Sequence, residues 1–206
     1  WIDDSGDLDG DGFVEYRRRA TRGLINQGWK DSADAVRDRD GATMEPPIAL
    51  AEVQGYVCDA KRRMARLARL RSDVALADRL EADAGRLRKR FNEAFWLPDR
   101  GYYAMALDRD KRPVDGLGSN MGHCMSSGIV DVDKCQSVVE HLMSEEMFSG
   151  WGVRTLATSM ASYNPMSYHN GSVWPHDNAI IATGLMRYGY VDEAHRVIRG
   201  ILDAAM

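Results

Sequence analysis

The sequence is short of the features that make disulfide frameworks, membrane spans and strongly charged surfaces. Its three cysteines, Cys58, Cys124 and Cys135, are odd in number and lack metal-ligand spacing, so we interpret them as reduced thiols of a cytoplasmic protein. No apolar run approaches the ~20 residues that a membrane-spanning helix needs. The net charge is only -4, which gives no electrostatic reason to expect nucleic acid or an acidic membrane as a partner.

Several catalytic signatures are also missing. Gly171-Ser172-Val173 lacks the Gly-x-Ser-x-Gly elbow of a serine nucleophile, and there is no glycine-rich loop with its lysine to hold a phosphate. His169 and His176 lack the i,i+4 spacing of two zinc ligands on one helix, and no cysteine accompanies them, so a zinc site is not expected. What the sequence has instead is aromatic residues set among Gly, Asn, His and Asp.

Helical periodicity covers several stretches of the chain. Apolar residues recur at spacings of three and four, beside residues that commonly start or end helices. The predicted helices are residues 53–67, 77–91, 132–143, 178–186 and one from 192 onward, with a partial helix at Trp1. Pro46-Pro47 suits the entry to the first of them, Ser72-Asp73 is a plausible cap for the second, and Gly189 ends the fourth.

Long loops separate the predicted helices, at residues 5–12, 24–45, 113–128 and 148–175. Loops of this length in a compact domain are usually functional or disordered, and their aromatic content argues against disorder. Residues 101–114 are different, because Tyr102, Tyr103, Met105 and Leu107 before a polar turn predict a short β-hairpin.

Buried helices that alternate with amphipathic ones suit a two-layer toroid of inner and outer helices. We therefore predict an all-α fold with one short β-hairpin, as a single domain over residues 1–206. A closed ring of this type needs about twice as many helices as the sequence shows. We expect an incomplete barrel, cut from a longer polypeptide, which would self-associate through exposed apolar helix faces.

The loop at residues 26–32, NQGWKDS, places a carboxylate two positions after a tryptophan. An aromatic ring can stack on the C–H face of a sugar, and weakly polar surroundings raise the pKa of a nearby carboxylic acid. A glycosidase uses this combination to protonate a leaving oxygen, so Asp31 is a candidate general acid and Trp29 a candidate sugar platform. The competing interpretation is that Asp31 only caps a helix.

The loop at residues 147–155, MFSGWGVRT, has Trp151 between two glycines, with Arg154 following. Glycines on both sides let a backbone approach a ligand closely, which favours a binding loop. The alternative is a surface loop with a structural tryptophan, and the residues themselves do not decide between the two.

The loop at residues 163–178, YNPMSYHNGSVWPHDN, is dense in polar and aromatic side chains. His169, Asn170 and Trp174 lie within it. Such side chains supply hydrogen-bond donors and acceptors for sugar hydroxyls, with aromatic faces between them. Packing alone does not explain this density, so the loop is a candidate sugar-binding segment.

The acidic stretch at residues 7–15, DLDGDGFVE, follows the spacing of an EF-hand calcium loop. Asp7, Asp9 and Asp11 take the first ligand positions, the carbonyl of Phe13 the seventh and Glu15 the ninth. The twelfth position is Arg18, which cannot bind a cation, so a calcium sensor is not expected. A structural calcium brace and an ordinary Asp/Gly-rich turn remain as alternatives.

Five segments together resemble one enzyme family: GLINQGWKDS, EPPIALAEVQGYV, RFNEAFW, MFSGWGVRTL and YNPMSYHNGSVWPHDNAIIA. They are similar, in order and over essentially the whole chain, to the C-terminal catalytic region of glycogen debranching enzymes of the amylo-α-1,6-glucosidase type. The resemblance implies an (α/α)6 barrel and an inverting glycosidase whose general acid is Asp31. Its general base would be a glutamate in a later loop, beyond Met206. The resemblance also implies that the following residues line the sugar pocket: Trp29, Lys30, Glu52, Gln54, Trp151, Arg154, His169, Asn170 and Trp174.

Three functions from different classes follow from these observations. The first is hydrolysis of α-glucosidic bonds in an oligo- or polysaccharide, chiefly the α-1,6 branch stubs of glycogen-type glucans, with trehalose or glycosyl-glycerate substrates as the alternative. The second is a sugar-binding module that lacks its base. The third is a calcium-regulated interaction protein, although one unpaired EF-like loop is weak support for it. Barrels of this broader class carry a similar loop as a calcium brace.

Overall fold

The computed structural model describes residues 2–206, and within them the chain forms six α-helices arranged as successive hairpins. The helices are α1 (Ala51–Leu70), α2 (Val74–Ala94), α3 (Asn120–Ser127), α4 (Val132–Leu142), α5 (Pro175–Arg187) and α6 (Val191–Ala204). Ile2–Gly6 forms a single π-helical turn, and the partial helix predicted at Trp1 lies outside the described residues. None of the helices within residues 2–206 is long and apolar enough to cross a bilayer.

The odd-numbered helices form an inner row, in which α1 packs on α3 and α3 packs on α5. The even-numbered helices cover them from outside, with α2 against α1, α4 against α3 and α6 against α5. This is the two-layer arrangement predicted from the alternation of buried and amphipathic helices. All five predicted helices match within three residues at each predicted end, and Asp73 caps α2 as predicted by accepting a hydrogen bond from Leu76 N at 3.1 Å. Helix α5 begins earlier than predicted, at Pro175.

Helix α3 corrects the sequence analysis, which predicts a loop over residues 113–128. Its sequence, NMGHCMSS, has no polar face to give it a 3.6-residue pattern, because it is buried on nearly all sides. Glycines let its neighbours approach: a Cβ at Gly122 would lie 2.5 Å from Ile181 Cγ1, and one at Gly184 would lie 2.7 Å from Ser126 N. The close contact between α3 and α5 therefore depends on two positions without side chains.

The strands are short: one precedes α1, and the other four lie between α2 and α3. They are β1 (Ala49–Leu50), β2 (Trp96–Leu97), β3 (Tyr102–Tyr103), β4 (Ala106–Leu107) and β5 (Pro113–Val114). The hairpin predicted at residues 101–114 is present as β4 and β5, which pair Ala106 with Val114 and Leu107 with Pro113. The tyrosines belong to a second hairpin instead, because β3 pairs with β2. β1 pairs with β4 and leads directly into α1, so the sheet fixes where the inner row begins.

Candidate active site

Aromatic side chains from two loops and from the inner helices α3 and α5 form a cluster around Trp29. The ring of His123 stacks on Trp29 with centroids 5.5 Å apart and planes 5° from parallel. His169, Trp174 and His176 meet the same ring edge-on at 5.5, 6.4 and 4.8 Å. The arrangement gives half-buried aromatic faces with ring nitrogens between them, which suits the C–H faces and hydroxyls of a sugar.

Asp31 lies at the edge of this aromatic cluster. Its carboxylate is 3.9 Å from His169 Nδ1, and its side chain is 43% exposed, so an incoming ligand can reach it. No helix begins after Asp31 in the described part of the chain before Ala51, so helix capping is not the reason for this residue. A reachable carboxyl group beside aromatic rings is the geometry that a general acid requires.

His169 is held neutral by its surroundings and by Ser32. Burial lowers the pKa of His169, against the opposing effect of the nearby Asp31 carboxylate. The hydroxyl of Ser32 lies 2.8 Å from Nδ1, and the Ser32 N–H donates to the same atom at 3.4 Å. A neutral His169 with Nδ1 as acceptor adds no positive charge beside Asp31. An imidazolium in its place would favour the ionised carboxylate, which has no proton to donate.

The lowered pKa of His169 predicts a pH-dependent stability. The unfolded imidazole has a pKa of about 6.5, so the unfolded chain binds more protons just below that pH than the folded one. The free energy of unfolding should therefore fall as the pH drops from about 6.5 toward the folded-state pKa. Urea titrations across this range should show a steeper pH dependence for the wild type than for His169→Asn, which cannot titrate.

The exposed His195 on α6 supplies the control, because His195→Asn should keep the wild-type pH dependence. Equal slopes for the wild type and His169→Asn would show that His169 has no shifted pKa.

Lys30 anchors the catalytic loop into the inner row of helices. Its ammonium group is buried and donates to Asn120 Oδ1 and to the carbonyl of Thr155, both at 2.7 Å. Asn120 in turn donates to Glu52 Oε2 at 2.8 Å, so one chain of hydrogen bonds joins the loop to α3 and α1. Burial lowers the pKa of Lys30 to about 8, and the charges of Asp177 and Glu52 oppose that shift. Lys30, the residue before Asp31, is thus held in place by its hydrogen bonds on the inner side of the loop.

His123 provides a second anchor, beneath the Trp29 ring. Its Nε2 lies 2.7 Å from Asp177 Oδ1, and both side chains are fully enclosed. Its Nδ1 is hydrogen-bonded to the hydroxyl of Tyr56 on α1. The imidazole is therefore fixed at both nitrogens, and so is the plane against which Trp29 stacks.

Three buried polar atoms around these anchors have no hydrogen-bond partner among residues 2–206. They are Trp29 Nε1, Glu52 Oε1 and Asp177 Oδ2. A buried polar group without a partner costs about 1–3 kcal/mol, so this concentration of unpaired atoms destabilises the fold. Such a cost is typical of a functional site and not of a core built only for stability.

The structure brings together part of the predicted substrate-binding set. Trp29, His169 and Trp174 form the aromatic cluster, while Lys30 and Glu52 lie beneath it as anchors. Their contact with substrate stays a prediction, and the burial of the last two points to a positioning role.

The other predicted residues make their contacts outside the aromatic cluster, and their contact with substrate also stays a prediction. Gln54 is enclosed and exchanges hydrogen bonds with the backbone of Val14, and Asn170 donates to Asp34 at 3.0 Å. Arg154 donates to the carbonyl of Glu145, and Trp151 is exposed beside α6, where its backbone contacts Gly200. No hydrogen bond or ring contact joins these four side chains to the aromatic cluster within residues 2–206.

Sequence reasoning missed Asn120, His123, Tyr56 and Asp177. The sequence pattern predicts a loop where α3 lies, so Asn120 and His123 were not identified. Their i,i+3 spacing is the signal that could have found them, because it puts both on one face of a helix. Asp177 was present in the quoted motif but was not singled out.

The predicted calcium ligands lie together, and a lysine lies among them. Oxygens of Asp7, Asp9 and Glu15 are within 4.8 Å of one another, a spacing that one Ca²⁺ could bridge. The ammonium group of Lys111, from the β4–β5 turn, lies 3.0 Å from Asp9 and 2.9 Å from Asp11 and also contacts Glu15. This chain therefore supplies a cation of its own to the acidic loop.

The remaining features of the loop do not complete an EF-hand, and they leave both the calcium brace and the ordinary turn as alternatives. The ring of Phe13 is buried against Phe95, so only its carbonyl could serve as a ligand. Arg18 donates to the carbonyl of Gly23 and takes no part in the acidic cluster. Calcium binding stays a prediction.

Lys111→Met should show whether the acidic loop needs a cation. Removing the ammonium group leaves Asp9, Asp11 and Glu15 to repel one another, so the melting temperature should fall by several degrees in the presence of a chelator. Millimolar Ca²⁺ should restore part of that loss if the oxygens can bind it, and should shift the wild type less. Arg109→Met in the same turn is the control. No loss in Lys111→Met would show that the loop needs no cation.

Helices in an inner and an outer layer, with a reachable acid beside stacked aromatic rings, define a glycoside hydrolase domain of the (α/α)6-barrel class. The chain belongs to the mannosylglycerate hydrolase MGH1-like glycoside hydrolase domain family, whose model matches residues 7–206.

Individual relatives agree with this assignment. A mannosylglycerate hydrolase of Rubrobacter radiotolerans is 25% identical over 176 residues, which are 82% of this chain and 39% of that protein. The chain thus spans about two fifths of the curated relative that it matches. Its sequence is therefore similar to part of a larger hydrolase.

Solved structures show the same fold. The GH63 mannosylglycerate hydrolase of Thermus thermophilus, solved in complex with glucose, matches with a TM-score of 0.66 and 19% identity over 76% of this chain and 37% of that chain. A neutral trehalase of Saccharomyces cerevisiae matches with a TM-score of 0.68 and 14% identity over 84% of this chain and 34% of that chain. The predicted (α/α)6-barrel architecture and membership of a glycoside hydrolase family are confirmed, but glycogen debranching is not what these comparisons point to.

Proposed function

We propose that the protein is an inverting α-glycosidase whose substrate is a small glycosyl acid of the glycosyl-glycerate type. The observation that carries the proposal is Asp31 itself, a reachable carboxyl group beside a neutral His169 and the Trp29 ring. The family description supports the choice of substrate, and it favours a glycosyl glycerate over the α-1,6 stubs of a glycogen-type glucan.

Asp31 would act as the general acid. Trp29 and Trp174 would hold the sugar ring by its C–H face, with the glycosidic oxygen toward the Asp31 carboxyl group. Asp31 would donate its proton to that oxygen as the bond to the anomeric carbon breaks, so the leaving alcohol departs neutral. His169 would stay uncharged throughout the reaction. It would also keep Ser32, the residue after Asp31, in place.

The attacking water needs a second carboxylate, about 6.5–9.5 Å from the first. Glu52 and Asp177 are the buried carboxylates around the aromatic cluster, but each is enclosed and tied to Asn120 or His123. Each of them thus has one oxygen committed to a positioning contact within the fold. We therefore assign the general base to a glutamate outside the described residues, as the resemblance to debranching enzymes implies.

The test is a comparison of substrates on the complete protein. A glycosyl glycerate should be hydrolysed faster than isomaltose, panose or trehalose, and proton NMR should show that the first anomer released is the inverted one. Retention of configuration would contradict the mechanism, and faster hydrolysis of panose would favour debranching. Calorimetric binding without turnover would make the protein a sugar-binding module.

A further inference from the structure

Three hydrogen-bonded side chains, which we call the tyrosine relay, cross the inner row of helices beside the aromatic cluster. Tyr56 on α1 is bonded to His123 on α3, and His123 is bonded in turn to Asp177 on α5. His123 and Asp177 are fully enclosed, whereas Tyr56 is 41% exposed. The enclosed pair supports Trp29, but the proposed mechanism gives the exposed tyrosine no part. Of the three side chains, Tyr56 is the one that a ligand can reach.

Tyr56 and Trp29 are neighbours through the same imidazole. The ring of His123 stacks on Trp29 with centroids 5.5 Å apart, and the ring of Tyr56 lies 6.0 Å from the same imidazole at an angle of 50°. The Tyr56 hydroxyl meets the edge of the imidazole at Nδ1, while Trp29 covers its face. Both residues therefore lie close enough for a single sugar and its hydroxyls to contact both.

The relay leaves part of the hydrogen-bonding capacity of the Tyr56 hydroxyl unused. A tyrosine hydroxyl can donate once and can also accept. Its bond to His123 Nδ1 takes one of these positions, and no second hydrogen bond to it is found within residues 2–206. Burial and the charges of Glu52 and Asp177 raise the pKa of Tyr56, so the hydroxyl keeps its proton. A neutral hydroxyl with an unused position suits a sugar hydroxyl, which can itself donate or accept.

The relay also fixes where the Tyr56 hydroxyl lies. Asp177 Oδ1 holds His123 Nε2 at 2.7 Å, and the stacked Trp29 ring holds the plane of the imidazole. His123 Nδ1 can therefore point in one direction only, and the Tyr56 hydroxyl is bonded to it there. A polar group that is fixed in this way favours ligands with a matching hydroxyl and disfavours those that lack it.

We propose that Tyr56 is a sugar-specificity residue, whose hydroxyl binds one ring hydroxyl of a sugar packed on Trp29. His123 and Asp177 are positioning residues that hold the Tyr56 hydroxyl in place. The proposal rests on the proposed function, because it takes the aromatic cluster as the place where the sugar binds. The site would then distinguish sugars by the position of one hydroxyl as well as by the shape of the ring.

The decisive variant is Tyr56→Phe, compared with Tyr188→Phe, which removes a hydroxyl that donates to the carbonyl of Val130. The ligands are D-glucose and D-mannose with their 2-, 3-, 4- and 6-deoxy derivatives, and binding is measured by calorimetry on the complete protein. Tyr56→Phe should bind the preferred monosaccharide about 3–10-fold more weakly than the wild type, because one hydrogen bond is lost. Tyr188→Phe should bind it like the wild type.

One deoxy derivative should identify the hydroxyl that Tyr56 binds. The wild type should bind that derivative about 3–10-fold more weakly than the parent sugar, and Tyr56→Phe should bind the two equally. A loss of the same factor with every derivative would make the role of Tyr56 structural and would overturn the proposal. No loss in Tyr56→Phe, or no binding of either monosaccharide to the wild type, would also overturn it. Failure to hydrolyse a glycosyl glycerate would count against the proposed function alone, because monosaccharide binding requires no hydrolysis.

Discussion

Asp31→Asn in the complete protein should lower kcat by about 10²–10⁴-fold, the usual contribution of a general acid. The asparagine amide has nearly the shape of the carboxyl group but has no acidic proton to give to the leaving oxygen. KM should change little, because Trp29, His169 and Trp174 stay in place. An aryl glycoside whose leaving group is already a weak base should be hydrolysed with a much smaller loss, since its departure needs no proton.

The control for this experiment is Asp40→Asn, which changes an exposed carboxylate in the same long loop and should leave kcat unchanged. If Asp31→Asn kept wild-type hydrolysis of the natural substrate, the general acid would have to be another residue. A loss of the same size on the natural substrate and on the aryl glycoside would mean that Asp31 does not act by donating a proton.

Lys30→Met should lower the free energy of unfolding by several kcal/mol, because a buried, hydrogen-bonded cation is lost. The change leaves Asn120 Oδ1 and the carbonyl of Thr155 without their donor and removes a cation whose charge interacts with Glu52 and Asp177. Breaking one partner of a buried charged network costs about 3–5 kcal/mol. Chemical denaturation should show a loss of that order, whereas Lys89→Met, at an exposed position on α2, should change stability by less than about 0.5 kcal/mol. A loss no larger than that of the control would contradict the anchoring role.

The pH dependence of stability gives Lys30 a separate signature. Its pKa in the folded protein is about 8, below the unfolded value of about 10.4. Between these values the unfolded chain binds more protons than the folded one, so the free energy of unfolding gains a term that rises with pH. That rise should be absent in Lys30→Met and present in Lys89→Met.

The sequence predicted the helices better than it predicted the site. Periodicity located α1 and α2 because each has one face in water and one in the core, and that contrast is visible in the chain. Helix α3 has no such contrast, so it was invisible to the same reasoning. Periodicity detects helices through their exposed faces, and a fully enclosed helix does not have one.

The site itself was only partly predictable, for a related reason. The loop NQGWKDS indicated a carboxylic acid beside an aromatic ring, which is local information. The anchors are not local: Lys30 meets Asn120, 90 positions away, and Thr155, 125 positions away. Nothing in the spacing of these residues shows that they meet, because the contacts exist only after the inner helices have packed.

Gly122 and Gly184 limit the substitutions that this domain can accept, both in evolution and in the laboratory. Gly122 directly precedes His123, and Gly184 lies two turns after Asp177 on the same helix. A methyl group at either position would force α3 and α5 apart and would separate the His123–Asp177 pair by a similar distance. The rings above that pair would shift with it. Gly122 and Gly184 thus limit how far the rings of the aromatic cluster can be displaced, although neither residue binds a ligand. Substitutions at these positions should first misalign the substrate and only later unfold the domain.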